Sequence, residues 1–448
     1  MPENDDPNPF EEFLRQFGVQ PGPDGSFDMA QLLGPMQRAM EQFGRQMSSG
    51  TDPSTGLNWT FVGEVARKVT AAAGPDPSPS SREVAQIRDA VGLADLWLDQ
   101  HTAFGRTPTA STAWSRAEWV ENTKETWQEL VGGVSLALTN AVSALLQQPE
   151  PEMAGMAAMM EPLMRQAAAG MLATQVGQGI GELATDVLSV SDLGFPLTVT
   201  PTVALLPTNV NRFASGLDLP VDDVRLYLAL REAARQRLFA EVAWLGPQML
   251  ALITHYATHI RIDADSFEQA IESQLANGLS PENLADLSET LTGRLFRPDL
   301  TAEQKEILTR LETLVAAVEG WVDDVVSQAT TGILPLADTL LEAARRRRAS
   351  AGPAQAALRS LMNLELRPRR IRDAANAWAA LRTARGVEQR DAVWAHPDLV
   401  PTAADLDDPL SFAERGAQVS TSTDDLDAAL AQLLDEEGGS SEADEGAS

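Results

Sequence analysis

The sequence predicts a mainly α-helical fold, a multi-helix body with one or two short β-strands and disordered termini. Apolar residues recur at helical spacing in segment after segment, and helix-capping signals precede several of these segments. The β-branched residues that strands favour gather in one stretch. The 448 residues are 44% hydrophobic, which is enough to build a sizeable core.

Charge divides the chain into three parts. The formal net charge is -30, from 34 basic and 64 acidic side chains, and residues 405–448 alone hold 13 acidic residues and one arginine. We therefore predict a disordered or weakly helical arm over 1–55, a helical body over 56–412, and an acidic disordered tail with a short amphipathic helix over 413–448. This charge balance disfavours nucleic acid and anionic membrane surfaces as partners.

The lack of cysteine excludes disulfides, thiolate metal sites and a cysteine nucleophile. The first residues lack the basic-then-apolar order of a signal peptide, so a cytoplasmic location is expected. The longest uncharged apolar stretch, residues 130–146, contains several small and polar residues and predicts a buried helix rather than a membrane span.

The first half of the body is predicted to be helical. Ser80 and Glu83 form a capping-box pattern, and helical regions follow at about 114–147 and 153–190. The Met, Ala and Gly residues of the latter favour close helix packing. Its segment 177–181, Gly-Gln-Gly-Ile-Gly, resembles a phosphate loop, but no strand precedes it and no lysine follows it, which argues against a nucleotide site.

The second half changes character and then returns to helices. Residues 195–206 combine β-branched residues with prolines and predict one or two short edge strands. One amphipathic helix is predicted from Arg225 to Phe239, or on to Trp244, and a shorter one reaches Ile260. Later helix signals are an N-cap at Ser280-Pro281-Glu282, a capping box of Thr301 and Gln304, a helix ending in Arg345–Arg348, and a last body helix over about 370–384.

Two histidines have the spacing of metal ligands. His255 and His259 are four residues apart on a predicted helix, which places both on one face. No glutamate follows the first histidine, as the helix of a zinc peptidase would require. They are therefore a weak alternative for metal binding, and the competing interpretation is an exposed polar face. His101 lies near a helix end, and His396 is predicted to form a structural hydrogen bond in a turn.

Arginine clusters are the other charged feature of the body. The run Arg345–Arg348 and a second group at 367–372 could bind an acidic partner or the acidic tail of this chain. Alternatively, these arginines complement carbonyls and dipoles at helix ends.

Four strings carry a resemblance to a known family. They are Leu-Ala-Leu-Arg-Glu-Ala-Ala-Arg-Gln-Arg-Leu-Phe at 228–239, Glu-Gly-Trp-Val-Asp at 319–323, Leu-Glu-Leu-Arg-Pro-Arg-Arg at 364–370, and Trp-Ala-His-Pro-Asp-Leu-Val-Pro-Thr-Ala-Ala-Asp-Leu-Asp-Asp-Pro at 394–409. Over roughly 56–412 the chain resembles the actinobacterial zincin-like family, whose members are labelled zinc-dependent metalloproteases or provisional hydrolases.

The resemblance implies a site that this sequence departs from. A zincin helix carries His-Glu-x-x-His, in which two histidines hold zinc and the glutamate activates a water. Aligned on Glu232, the ligand positions hold Arg231 and Arg235, which cannot bind zinc because a guanidinium stays protonated. The resemblance places a third ligand near 319–324, where Glu319, Asp323 and Asp324 are available. We expect the arginines to pair with Glu232 or with these acidic residues.

Three functions follow as hypotheses. The first is a zincin-like protein that is degenerate at the zinc site and acts in binding or regulation, with no cofactor expected. The second is an active zinc-dependent hydrolase that uses other ligands, such as His255 and His259 with an acidic residue. The third is a protein partner that docks through the acidic tail or the N-terminal arm.

Overall fold

A computed structural model describes residues 51–52, 55–146, 154–260, 299–349, 353–366 and 370–414. Helices dominate these residues and the only sheet in them has two very short strands, so the predicted fold class is confirmed. The predicted tail helix, nearly all of the predicted arm, and the N-cap at 280–282 lie outside the described residues. No helix within the described ranges is long and apolar enough to cross a lipid bilayer.

The helices are numbered here in chain order. They are α1 (Trp59–Ala72), α2 (Ser81–Leu98), α3 (Arg116–Leu146), α4 (Ala154–Asp186), α5 (Pro207–Leu217), α6 (Val221–Glu241), α7 (Leu245–Thr258), α8 (Ala302–Thr330), α9 (Ala337–Ala349), α10 (Pro353–Met362), α11 (Ile371–Ala392) and α12 (Ala403–Asp407). Both predicted capping boxes are confirmed: Ser80 with Glu83 opens α2, and Thr301 with Gln304 opens α8.

The short sheet confirms one of the short strands predicted for residues 195–206, but not its edge position. This strand, β2 (Ala204–Leu205), pairs in parallel with β1 (Thr112–Ala113), which the sequence did not indicate. On its other side, β2 forms backbone hydrogen bonds with the segment that follows α4. Val190 N donates to Ala204 O at 3.1 Å, and Leu206 N donates to Leu188 O at 3.0 Å. Residues 188–190 are thereby fixed beside the core, which matters for the site described below.

The glycine-rich segment 177–181 lies inside α4 and packs against other helices. A Cβ on Gly177 or Gly181 would lie 2.7 Å from a valine Cβ of α1, and a Cβ on Gly179 would lie 2.6 Å from Leu361 of α10. The pattern that resembles a phosphate loop therefore serves close helix packing, in agreement with the exclusion of a nucleotide site.

The helix α8 packs tightly on α11 at Gly320. A Cβ at this position would lie 2.6 Å from both the Cβ of Ala374 and the backbone N of Ala375. We expect Gly320→Val to lower the free energy of unfolding by about 3 kcal/mol, near the upper end for overpacked cores, because the opposing backbone cannot move aside easily. Chemical denaturation followed by circular dichroism measures this.

The control for that variant is Gly92→Ala. Gly92 lies in α2 and a Cβ there would meet nothing within 4 Å, so the exchange should leave stability unchanged or raise it by about 1 kcal/mol. Equal stability of the two variants would contradict the close contact between α8 and α11.

The last predicted body helix ends close to the expected position. α11 spans Ile371–Ala392 but consists of two helical segments, because Gly386, with φ 86° and ψ 175°, breaks the helical geometry between them. A glycine tolerates this φ without a Cβ clash. The second segment, which was not predicted, brings Arg390 and Asp391 into the core, where both are buried.

Candidate functional site

The helix that carries Arg231, Glu232 and Arg235 is buried along most of its length. Arg, Glu and Ala are strong helix formers, and Asp222 and Asp223 in the first turn complement the helix dipole. Arg231 is 3% exposed, Glu232 is 0% exposed and Arg235 is 2% exposed. Buried charges need partners to offset the cost of desolvation, so the contacts of these side chains decide what the site can do.

Both arginines of α6 pair with carboxylates of α8. Arg231 donates to Asp323 Oδ1 at 2.6 Å and to Glu319 Oε2 at 2.8 Å. Arg235 donates from Nε to Glu319 Oε1 at 2.7 Å and from Nη1 to Glu232 Oε2 at 2.8 Å. The predicted pairing is therefore present, and Glu319 and Asp323 lie one turn apart on α8 to receive it.

Glu232, which the resemblance places at the general-base position, has its hydrogen-bonding capacity filled. Its Oε1 accepts from Ser191 Oγ at 2.6 Å, Ser191 N at 3.2 Å and Gln236 Nε2 at 2.8 Å. Its Oε2 accepts from Ser189 Oγ at 2.7 Å, in addition to Arg235. A general base needs a free lone pair directed at a water or a substrate proton. The donors around Glu232 occupy both of its carboxylate oxygen atoms.

The basic run on α9 completes the cluster from a third side. Arg345 donates to Asp323 Oδ2 at 2.9 Å, and Arg348 forms an ion pair with Glu319. Arg347 donates to Asp192 Oδ2 at 2.7 Å. Only Arg346 is largely exposed, and it pairs with Glu342. The interpretation of this run as a docking surface is therefore corrected, because three of its four arginines bind buried or half-buried carboxylates of the body.

Electrostatics in the cluster favour full ionisation. Burial alone would raise the pKa of Glu319, but the guanidiniums of Arg235, Arg348 and Arg231 outweigh it and hold that pKa well below its ordinary value. Burial opposes the charge of Arg231 as well, yet Asp323, Tyr227 and Glu319 together outweigh it and raise the pKa of Arg231 well above its usual range. Arg231 and Arg235 therefore stay cationic.

Asp324 faces away from this cluster, which corrects its place among the expected third ligands. Its Oδ2 accepts from Arg390 Nη1 at 2.9 Å and from Arg382 Nε at 3.0 Å. Arg390 also donates to Asp391, which joins α11 to α8 in a second buried network.

His101 contributes its carbonyl to Arg390, and burial, together with Arg390, lowers the pKa of His101. His396 accepts from Asp398 N at 3.2 Å, so its predicted turn hydrogen bond is confirmed.

His255 and His259 lie elsewhere, at the C-terminal end of α7. The structure brings Glu303, in the first turn of α8, beside them. Their nearest atoms are 3.6 Å apart for His255 Nε2 and Glu303 Oε1, and 3.0 Å apart for His259 Nε2 and Glu303 Oε2. Sequence reasoning missed Glu303 because it comes 44 positions after His259.

A groove of about 440 Å³ opens beside the cluster. Gln236 and Phe239 of α6 line one wall, the extended segment 196–201 lines another, and the exposed carboxylates Glu125 and Glu129 of α3 stand at its rim. Gln236 connects the groove to the cluster, since its amide donates to Glu232 while its Oε1 accepts from Thr202 N at 3.0 Å.

Comparison with known proteins assigns the chain. The family model described as zincin-like metallopeptidase matches residues 57–413. The chain belongs to the zincin-like metallopeptidase family. Among curated proteins, none matches it.

A crystal structure with the same fold comes from Chloroflexus aurantiacus, described as a provisionally assigned hydrolase with a novel fold. It is 18% identical in sequence, with a TM-score of 0.52, and the alignment covers 80% of this chain and 98% of that one. At this identity the likeness extends to the fold alone.

The family name of zincin-like metallopeptidases implies a zinc ion. The side chains of α6 and α8 show whether this part of the chain could bind one. Zinc ligands are neutral imidazoles, thiolates or carboxylates with a free lone pair. Guanidiniums of Arg231 and Arg235 stand at the two ligand positions that the resemblance implies, and Glu319 and Asp323 each bind arginines on both sides. This donor set does not fit a zinc ion, because the nearby cations repel a dication and occupy the carboxylates.

Proposed function

We propose that this zincin-like protein is degenerate at the family's zinc site and acts as a non-catalytic binding or regulatory protein. The observation that carries the proposal is the buried cluster of α6, α8 and α9. Five arginines there pair with Glu232, Glu319 and Asp323 of α6 and α8 and with Asp186 and Asp192 at the end of α4 and just after it, and every position that would hold or activate a metal-bound water is engaged in an ion pair or hydrogen bond.

The degeneracy extends beyond the two substituted ligand positions. Arg345 and Arg348 enter from α9 and neutralise the same carboxylates that Arg231 and Arg235 contact. Removing one partner of such a buried network leaves uncompensated charge, so the cluster is a mutually dependent unit. It holds α6, α8 and α9 together in the place where the family resemblance puts a catalytic centre.

A binding role needs an accessible surface, and we place it at the groove beside Gln236. The groove has apolar walls from Phe239 and Leu250, and two carboxylates stand at its rim. Binding sites typically combine an apolar lining with a few polar groups that orient the ligand. A protein partner is the ligand class that we favour.

Hydrolysis assays test the proposal. The full chain, supplied with excess Zn²⁺, Co²⁺ or Mn²⁺, is expected to cleave neither denatured casein nor a mixed peptide library above the rate of metal alone. Glu232→Gln is the matched variant, and its hydrolysis rate should equal that of the wild type. The reason is that Glu232 is engaged by Ser189, Ser191, Gln236 and Arg235.

Two results would overturn this function. One is chelator-sensitive hydrolysis that Glu232→Gln abolishes while the variant remains folded by circular dichroism. The other is chelator-sensitive hydrolysis that His255→Ala abolishes, which would establish the competing assignment, an active hydrolase with ligands outside α6.

A further inference from the structure

The three side chains at the junction of α7 and α8 have the spacing of a metal site. One ligand atom from each of His255, His259 and Glu303 lies within 4.8 Å of the other two. Tetrahedral ligands at about 2.0–2.1 Å from zinc are separated from one another by about 3.3 Å. The observed separations of 3.0 and 3.6 Å between histidine Nε2 and carboxylate oxygen atoms lie on either side of that value.

The ring of His259 is oriented by a backbone carbonyl. Its Nδ1 lies 3.0 Å from the carbonyl oxygen of His255, so Nδ1 carries the proton and donates to it. Its Nε2 faces Glu303 Oε2 at 3.0 Å, a separation that is favourable only with a proton or a cation between the two atoms. A carbonyl bonded to the far ring nitrogen is also the usual support of a ligating histidine.

We propose that His255, His259 and Glu303 bind one divalent transition-metal ion, with Zn²⁺ as the probe that suits two imidazoles and a carboxylate. All three side chains are partly or fully solvent-accessible, with exposed fractions of 55%, 30% and 55%, so they can adjust to the ion at little cost. The ion fastens the end of α7 to the start of α8, across the connection that separates them in sequence.

The proposed ion has a binding role rather than a catalytic one. Glu319 comes 16 residues after Glu303 on α8, which is roughly 24 Å along the helix, so the cluster around Glu232 lies far from this site. The group of three contains no further carboxylate to act as a general base. The site is therefore separate from the position that the family resemblance gives to catalytic zinc.

Isothermal titration of the chelator-treated full chain with ZnCl₂ tests the site. The wild type is expected to bind about one ion per chain, and His255→Ala, His259→Ala and Glu303→Gln should each weaken binding tenfold or more. The control is His396→Ala, which removes an exposed histidine beyond α11 and should leave affinity unchanged. Added Zn²⁺ should also raise the Tm of the wild type but not that of the double variant His255→Ala/His259→Ala.

Failure to bind Zn²⁺ in the micromolar range, or unchanged affinity in the folded double variant, would overturn the site. Glu232→Gln separates this inference from the proposed function. If it removes zinc binding that the double variant keeps, the metal lies at α6 and both ideas fail. If the double variant loses zinc and no hydrolysis is detected with any metal, both stand. Zinc bound at His255 together with hydrolysis lost in His255→Ala overturns the proposed function and the non-catalytic role of the ion, while the metal site itself stands.

Discussion

Glu319→Gln is expected to lower the free energy of unfolding at pH 7 by about 3–5 kcal/mol, the range for breaking a buried ion pair by removing one partner. Glu319 is fully buried and accepts from Arg231 at 2.8 Å and from Arg235 at 2.7 Å, besides its ion pair with Arg348. Glutamine keeps the shape but not the charge, so three guanidiniums lose much of their compensation. Urea denaturation of the full chain measures the difference.

A matched exchange on the same helix isolates the role of burial. Glu306→Gln removes a negative charge from an exposed position of α8 and should change stability by no more than about 0.5 kcal/mol. If the two variants lose equal stability, the cluster contributes nothing beyond a surface charge, and its description as a mutually dependent unit is wrong.

Acid should reduce the difference in the free energy of unfolding between the wild type and Glu319→Gln. The pKa of Glu319 is depressed in the folded state, so its contribution is complete above the unfolded-state pKa of about 4.3 and is lost as the pH falls through the folded-state pKa. Denaturation series at pH 7 and at successively lower pH below about 4 should therefore converge for the two proteins. A constant difference across the series would contradict the depressed pKa.

Local sequence signals predicted the helices. They did not predict which of the other elements contribute side chains to the buried cluster around Glu232 and Glu319. Thr301 with Gln304 and Ser80 with Glu83 are contacts over three residues, so sequence alone locates them. The pairing of Arg231 and Arg235 with carboxylates followed from charge alone, since a buried guanidinium needs an acceptor. The resemblance supplied the segment 319–324 in which to look for it.

Long-range partners had no local signal. Ser189 and Ser191 reach Glu232 only because β2 holds their segment in place, and that pairing depends on strand β1 about 90 residues earlier. Periodicity did not reveal that Arg345 and Arg348 point inward, because a run of four arginines has no apolar face of its own. For the same reason, the sequence did not show that Asp323 pairs with α6 whereas its neighbour Asp324 pairs with α11.

The second large effect is expected at Asp391, in the network that joins α11 to the rest of the body. Asp391 is 2% exposed, and its Oδ1 accepts from Trp321 Nε1 and from Arg390 Nε, both at 2.8 Å. Its Oδ2 accepts from Thr102 Oγ1 and from Ala103 N, also at 2.8 Å. One carboxylate thus satisfies four donors from α8, α11 and the segment after α2.

Asp391→Ala leaves all four donors without this acceptor, and Arg390 keeps only Asp324 and the carbonyl of His101. Each stranded neutral donor costs about 1–3 kcal/mol, and the partly uncompensated guanidinium adds to this. We expect a total loss of about 4–5 kcal/mol, toward the exceptional end for a single substitution. Thermal and urea denaturation measure it.

Asp391→Asn and Asp398→Ala sharpen the interpretation. Asparagine keeps one acceptor oxygen but presents an amide group to some of the four donors, so its loss should approach that of alanine. Asp398 is exposed near the 3₁₀ turn at Pro397–Leu399, and removing its side chain should change stability by less than about 0.5 kcal/mol. A small effect of Asp391→Ala, comparable to that of Asp398→Ala, would mean that α11 is held by apolar packing of Trp378 and Gly320 alone. The ion pairs around Arg390 would then contribute little to the body that supports the candidate site.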